Sequence, residues 1–395
     1  MIISRDCAVC GSPKKKTIYS QRLEVPATGC IPGGNDVVVC SECGFAYADN
    51  LPDQTALDQH YRHSCDSSEE AKRYDASEQA IIRFLRRGDR ILDIGCGSGQ
   101  LLRRIKDHGY GDLVGLEPSE AACVAAREQH GLSVVQGSLF DRRDIGRFDF
   151  VILSHVLEHV ADLAGFVCEV RRLLSDGGRV FIEVPDAYNF VRSVEPNPPL
   201  GWTYERDLFA HFTPEHINFF STVSLQNLML RLGFDQLLLG SVVSIMGVIT
   251  SVWQGSRIIN DCEIEGRLAE YLAAARSVLR DPTRVIDGLV QTQKEVLVWG
   301  AGLHTQRLLG CTQLAKANIR AFIDTNSQYH GQQLLGVPIV GPRAVLGLPA
   351  LPIVISSRRV QEEIRRQIID SGVPNPIVLL YPDQGSPARG SPPPG

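Results

Sequence analysis

Three groups of residues in this 395-residue chain have types and spacings that could do chemistry. The first is two cysteine pairs, Cys7/Cys10 and Cys40/Cys43, each with two residues between the thiols. That spacing lets two sulfurs and the intervening amides wrap one tetrahedral ion, and two pairs complete a four-thiolate zinc site. Four thiolates leave no open coordination position, so the expected role of zinc is structural. Redox chemistry or a nucleic-acid contact by the same module are the alternatives, and Cys30 between the pairs is a spare thiol or a substitute ligand. The second group is the turn Asp93-Ile94-Gly95-Cys96-Gly97-Ser98-Gly99, followed at a distance by Glu117. Glycines at the start of a helix allow a sharp turn and close backbone approach to a ligand. The acid Asp93 inside the strand would repel a pyrophosphate and suits a ligand carrying an ammonium group. Cys96 reads as a small filler of the turn rather than a nucleophile. The third group runs from Pro185 to Phe220 and holds Tyr188, Trp202, Tyr204, His211, Glu215 and His216. Aromatics, histidines and a carboxylate at the carboxyl edge of a sheet resemble a binding mouth. Glu215 beside His216 offers a general base with a tunable neighbour. The competing reading is that this segment only orients the helix that follows, around Leu225 to Leu232.

These groups need elements to position them. Short Val/Ile/Leu-rich runs alternate with amphipathic stretches from about residue 77 to 255, the pattern of a parallel sheet covered by helices. The strand before the glycine turn is followed by one at Leu113–Glu117, one at Val134–Leu139, one at Phe148–His155 and a fifth that runs to Ile182. Glu117, at the end of the second strand, is placed to reach ribose hydroxyls. Ser138 and Leu139 end the third, where an adenine would lie. Glu158 and His159 begin a helix, either capping it or touching a ligand. The spacing of Leu268, Leu272, Ala275 and Leu279 predicts helix over 256–294. A second strand–helix alternation begins near Glu295 with the turn Gly300-Ala301-Gly302.

The implied boundaries are 1–50 for the cysteine module, 51–76 for a linker or helix and 77–255 for the first α/β domain. A helical connector over 256–294, a Rossmann-like domain over 295–384 and a Pro/Gly/Ser-rich, disordered tail over 385–395 complete the chain.

Composition sets limits. Hydrophobic residues make up 44% and charged residues 22% of the chain, as in ordinary globular proteins. The net charge of −5 argues against a broad phosphate-binding surface, so a nucleic-acid partner is disfavoured. Eleven cysteines and an N-terminus without a signal-peptide core point to a reducing cytoplasm. The apolar stretch Leu237–Trp253 contains Gly240, Ser241, Ser244 and Gly247, and reads as a β-hairpin rather than a membrane span.

The ordered segments LDIGCGSG, VGLEPS, FDFVILSHVLEHV and LLSDGGRVFIEVP resemble the motifs of class I S-adenosylmethionine-dependent methyltransferases over residues 77 to 250. The resemblance implies a seven-stranded, doubly wound core. It also implies that Asp93, Gly95, Gly97 and Gly99 hold the methionine moiety and Glu117 the ribose. Ser138 and Leu139 would then flank the adenine, with Ser154 and His155 lining the floor near the sulfonium. The whole layout further resembles zinc-containing deoxysugar C-methyltransferases, which act on nucleotide-linked 4-keto sugars. That likeness implies proton removal alpha to a ketone by Glu215 or His216, then methylation of the carbon. The sequence departs from that family at Thr213, where a tyrosine is usual, and at His304, where a lysine is usual. O- or N-methylation of another small metabolite, methylation of RNA or protein, and a non-catalytic cofactor sensor are the alternatives.

Overall fold

The computed structural model describes residues 2–24, 33–63, 74–141, 144–194, 209, 211–241, 244–250, 260–358 and 360–381. Cys30, Trp202, Tyr204, the end of the apolar stretch at Trp253 and the tail over 385–395 lie outside them. The chain gathers into two compact units. One comprises residues 1–21, 30–204 and 211–273, and the other residues 22–29, 205–210 and 274–395.

At the heart of the first unit is a sheet of seven strands. In spatial order these are Asp235–Ser241, Ser244–Thr250, Leu174–Pro185, Phe148–Ser154, Ile91–Ile94, Leu113–Glu117 and Ser133–Gln136. The last five run parallel, and the first two form an antiparallel hairpin added to one edge. Near-continuous apolar runs such as Phe148–Leu153 arise because a parallel strand is covered on both faces. The apolar stretch Leu237–Trp253 thus supplies both strands of the hairpin up to Thr250. No helix among the described residues is long and apolar enough to cross a membrane. The strand order reverses between Ile91–Ile94 and Phe148–Ser154, and ligands of such sheets bind beyond the carboxyl ends at that switch point. Both the glycine turn and Ser154-His155 sit there.

The cysteine segment does not stand apart from this core. Its strands Lys15–Ser20, Asp36–Cys40 and Ala46–Asp49 make a small sheet whose fourth strand, Asn218–Phe219, comes from beyond Glu215 and His216. Arg5 fastens the two together: its buried guanidinium donates to the carbonyls of Ala48, Ile217 and Ala161 and to Asn218 Oδ1. Gly44, after the last cysteine, has φ +78°, and a Cβ there would lie 2.1 Å from the Asp261 carbonyl oxygen. Only glycine fits such a turn against foreign backbone.

The aromatic residues read as a binding mouth are instead largely core. Phe190, Phe212 and Phe220 are fully buried, and His211 stacks face to face on Phe190 at 3.9 Å. Tyr271 packs edge-on against the same rings. Tyr188 donates its hydroxyl to Asp261. Stacked rings gain more by excluding water from one another than by facing solvent.

The second unit holds a six-stranded sheet in the order Gln333–Leu334, Val337–Val340, Ile319–Ile323, Val296–Trp299, Ile353–Ile355 and Ile377–Leu379. All its pairings are parallel except that of Gln333–Leu334 with Val337–Val340. The helices Leu303–Cys311 and Gln361–Asp370 belong to it. Helices Ile264–Val278 and Arg280–Thr292 occupy the expected connector, with Leu268, Leu272 and Ala275 buried.

Candidate active site

The strand Ile91–Ile94 delivers Asp93 and then the turn, in which Gly95, Gly97 and Gly99 have φ of +73°, +53° and +81°. Gly99 caps the helix Gln100–Asp107, and a Cβ on it would meet Leu132 Cδ1 at 2.5 Å. A Cβ on Gly97 would meet nothing within 4 Å, so that side of the turn opens onto free space. Cys96 is buried with its sulfur against Gly115, the packing role expected of it.

Glu117 ends its strand with both carboxylate oxygens engaged. Oε2 accepts from the Gly97 amide at 2.9 Å and Oε1 from the Ser119 amide at 2.8 Å. A carboxylate has about four acceptor positions, so two remain for ligand hydroxyls. Asp93 is only 3% exposed. Burial, helped by the neighbouring Glu117 carboxylate, pushes its carboxyl up to about 8. Such a group calls for a cation, which restores its ionised form. The turn, the open side at Gly97, the buried acid and the ribose-reaching carboxylate fit S-adenosylmethionine, with its ammonium, sulfonium and ribose.

The remaining cofactor candidates lie along the same edge. Leu139 is buried, and Ser138 donates to Asp58 Oδ2 at 3.0 Å. Asp58 belongs to the helix Gln54–His63 and also lines a cavity of about 300 Å³ with Gln54, Arg62, Phe140 and Asp141. Neither the glycine turn nor Glu117 borders that cavity. On the other side of the switch point, Ser154 and Ser77 both donate to Glu183 Oε2, at 2.8 and 2.7 Å. His155 takes a left-handed backbone with φ +56° and sets its Nδ1 3.0 Å from Glu158 Oε1.

Glu158 and His159 form a single turn of 3-10 helix beside this floor, with Glu158 1% exposed. Burial works against ionising Glu158, but the His155 hydrogen bond and the charges of His155, His159 and His216 outweigh it. Its carboxyl is held at about 2. His216 lies edge-on to His159 with ring centres 4.9 Å apart. Burial pushes its imidazole down to about 4, so it is neutral at pH 7. Glu215 points the other way and meets His60 Nε2 at 2.8 Å. Burial again opposes ionisation there, and the His60 hydrogen bond overcomes it, leaving Glu215 below the usual carboxylate range.

The two base candidates are thus adjacent in sequence but serve different neighbours. Thr213, where the sugar enzymes carry tyrosine, accepts the His216 amide through Oγ1. A tyrosine does reach the cluster from elsewhere: Tyr61 sets its hydroxyl 3.0 Å from His159 Nδ1. Asp58, His60 and Tyr61 come from a stretch read as a linker or helix, and Glu183 was not singled out. A carboxylate inside the apolar strand VFIEVP is the signal that could have found Glu183.

At the cysteine module, the sulfurs of Cys7, Cys10, Cys40 and Cys43 lie within 4.8 Å of one another. The Cys7–Cys43 and Cys10–Cys40 pairs are each 3.5 Å apart. Tetrahedral zinc with bonds of about 2.3 Å places sulfurs roughly 3.8 Å apart, so the four thiols fit such an ion. In the second unit, Asp324 accepts the Ala301 amide at 2.7 Å, the same device as Glu117 on Gly97. His304 is turned inward to the Tyr381 hydroxyl at 2.7 Å.

Residues 67–239 match the family model described as a methyltransferase domain, and residues 292–379 match one described as C2185-like, N-terminal. A ubiquinone biosynthesis O-methyltransferase of Pseudomonas aeruginosa is 35% identical over 117 residues, covering 26% of this chain and 49% of that protein. Its namesake in Aromatoleum aromaticum is 29% identical over 162 residues, covering 38% and 64%. The chain spans about half the length of the curated relatives it matches first. Among solved structures, an S-adenosylmethionine dependent methyltransferase from Mesorhizobium loti aligns with a TM-score of 0.35 at 18% identity, over 47% of this chain and all of that one. With the motifs in order, the glycine turn at the switch point and the match to a methyltransferase domain, residues 67–239 have the fold of a class I S-adenosylmethionine-dependent methyltransferase.

Proposed function

We propose that the chain transfers a methyl group from S-adenosylmethionine to a small-molecule acceptor that gives up a proton at Glu215. The observation that carries this is the run of contacts from His155 through Glu158 and His159 to the Glu215 backbone, with the Glu215 carboxylate held by His60. S-adenosylmethionine, when bound, supplies an electrophilic methyl group. Asp93 pairs with its ammonium, the Gly95–Gly99 backbone lets it approach closely, and Glu117 takes its ribose hydroxyls. Ser138 and Leu139 flank the adenine, and Ser154 and His155 set the floor of the transfer site. Glu215 takes the acceptor's proton while His60 steadies the resulting charge distribution, and neutral His216 lines the same wall.

A carboxylate held below its usual range is a weak base, and general bases work best with a pKa near the operating pH. The acceptor must therefore be acidic. A carbon activated by the neighbouring ketone of a nucleotide-linked deoxysugar is our leading acceptor. The second unit carries a glycine turn of its own, with Asp324 accepting the Ala301 amide, as a candidate nucleotide site within that unit. A phenol-like hydroxyl also meets the need, and the names of the relatives favour that second reading. Zinc at Cys7, Cys10, Cys40 and Cys43 closes the cysteine module and takes no part in the chemistry. Those thiols stay available to zinc in a reducing cytoplasm.

Thermal unfolding with S-adenosylhomocysteine, plus dTDP, UDP, GDP, ADP or NAD in turn, tests the acceptor class. A ligand at 100 times its Kd stabilises the native state by about 2.7 kcal/mol. A selective shift with one nucleoside diphosphate supports the sugar reading and names the carrier. If only S-adenosylhomocysteine shifts the transition, the acceptor lacks a nucleotide and the second reading stands. Deuterium uptake from solvent at the acceptor carbon separates carbon from oxygen methylation.

A further inference from the structure

Three side chains beside the proposed transfer site converge around one buried carboxylate oxygen. The ligand atoms of Glu158, His159 and His216 lie within 4.8 Å of one another. Glu158 is almost wholly buried, and its Oε2 has no hydrogen-bond partner among the described residues. A buried, unpaired carboxylate oxygen costs free energy unless something positive meets it.

His159 Nδ1 lies 3.0 Å from both the Glu215 backbone carbonyl and the Tyr61 hydroxyl. With its hydrogen on Nδ1, directed to that carbonyl, the ring presents a lone pair on Nε2, 4.0 Å from Glu158 Oε1. Fixing a histidine through a backbone carbonyl is how metal-binding imidazoles are commonly oriented. His216 packs edge-on against His159, and no side-chain hydrogen bond occupies its ring nitrogens among the described residues. His155 holds the other oxygen of Glu158 at 3.0 Å, fixing the carboxylate from behind.

We propose that Glu158, His159 and His216 bind a divalent cation that grips an oxygen of the methyl acceptor. Two imidazoles and one carboxylate suit a first-row divalent ion and leave coordination positions open for the acceptor and water. The ion polarises the acceptor oxygen and lowers the pKa of the hydroxyl or of the adjacent C–H. The released proton goes to Glu215. This inference rests on the methyl-transfer reading for its purpose, but its binding test does not. It also assigns His216 a ligating role in place of a basic one.

Titration of Mn2+ into the full-length protein, followed by loss of the free-ion EPR signal, tests the site. Manganese is the probe because it favours carboxylate and imidazole over the four thiolates elsewhere. Wild-type protein should take up one equivalent, and Glu158→Gln and His216→Asn should each weaken binding at least tenfold. If either variant fails to fold, His159→Gln supplies the same comparison. Each variant should keep its thermal shift with S-adenosylhomocysteine. No uptake by wild type, or equal uptake by the variants, overturns the site. A missing S-adenosylhomocysteine shift in wild type instead sinks the methyl-transfer reading and leaves the Mn2+ result to stand alone.

Discussion

Asp93 carries the sharpest prediction at the scale of single residues. Its ordinary value is 3.8 and burial raises it to about 8, so the free protein holds a proton there at neutral pH. A cofactor ammonium prefers the ionised form. Binding must therefore release a proton below pH 8, and affinity should climb between about pH 6 and 8 and then level off. Calorimetry of S-adenosylhomocysteine in buffers of different ionisation heat measures that proton directly, and a pH-independent affinity would contradict the assignment. Glu215 offers a second test. Glu215→Gln should lower turnover by about 100-fold or more while leaving cofactor affinity unchanged, a loss typical of removing a general base. Unchanged turnover would remove Glu215 from the mechanism. The sequence order already put Asp93, the glycines and Glu117 at the ends of neighbouring strands, and the structure brings Glu117 onto the Gly97 amide. His60 and Tyr61 were not legible, because a histidine and a tyrosine on a short polar helix carry no periodic or spacing signal. Only folding brings His60 to Glu215 and Tyr61 to His159.

At the scale of elements, the parallel strands were readable from runs buried on both faces, and the apolar stretch near Leu237 from its interrupting glycines and serines. The small sheet around the cysteines was only half readable. Its fourth strand, Asn218–Phe219, is two residues long and lies far along the chain, so no local pattern announces it. The same long-range logic hid the fate of Phe190, His211 and Phe212, whose types suit a ligand mouth as well as a core. Gly44 tests how firmly the elements are joined. Gly44→Ala places a Cβ against the Asp261 carbonyl at a positive φ and should destabilise the first unit by more than about 1 kcal/mol, read by denaturant unfolding. A neutral outcome would mean that the turn relaxes away from Asp261.

For the whole molecule, the shared sheet links the cysteine module to the chemistry. Glu215 and His216 lie just before the strand that pairs with Ala46–Tyr47. Stripping zinc with a strong chelator should therefore lower the melting temperature of the first unit and abolish turnover together, with zinc restoring both. A chelated protein that keeps its activity would make the module independent of the site. The division into two units is not drawn by composition alone, because Arg22–Glu24 and Phe209 group with the second unit although they lie within the first unit's span of sequence.

Cofactor recognition is assigned to the glycine turn and its acids. Isothermal titration of S-adenosylhomocysteine into the full-length protein and its Glu117→Ala variant tests that claim most directly. Glu117 holds the Gly97 and Ser119 amides and is proposed to take the ribose hydroxyls, so its loss should weaken binding at least tenfold relative to a wild type that binds one equivalent per chain. No heat of binding in the wild type, or equal affinity in the variant, would contradict it.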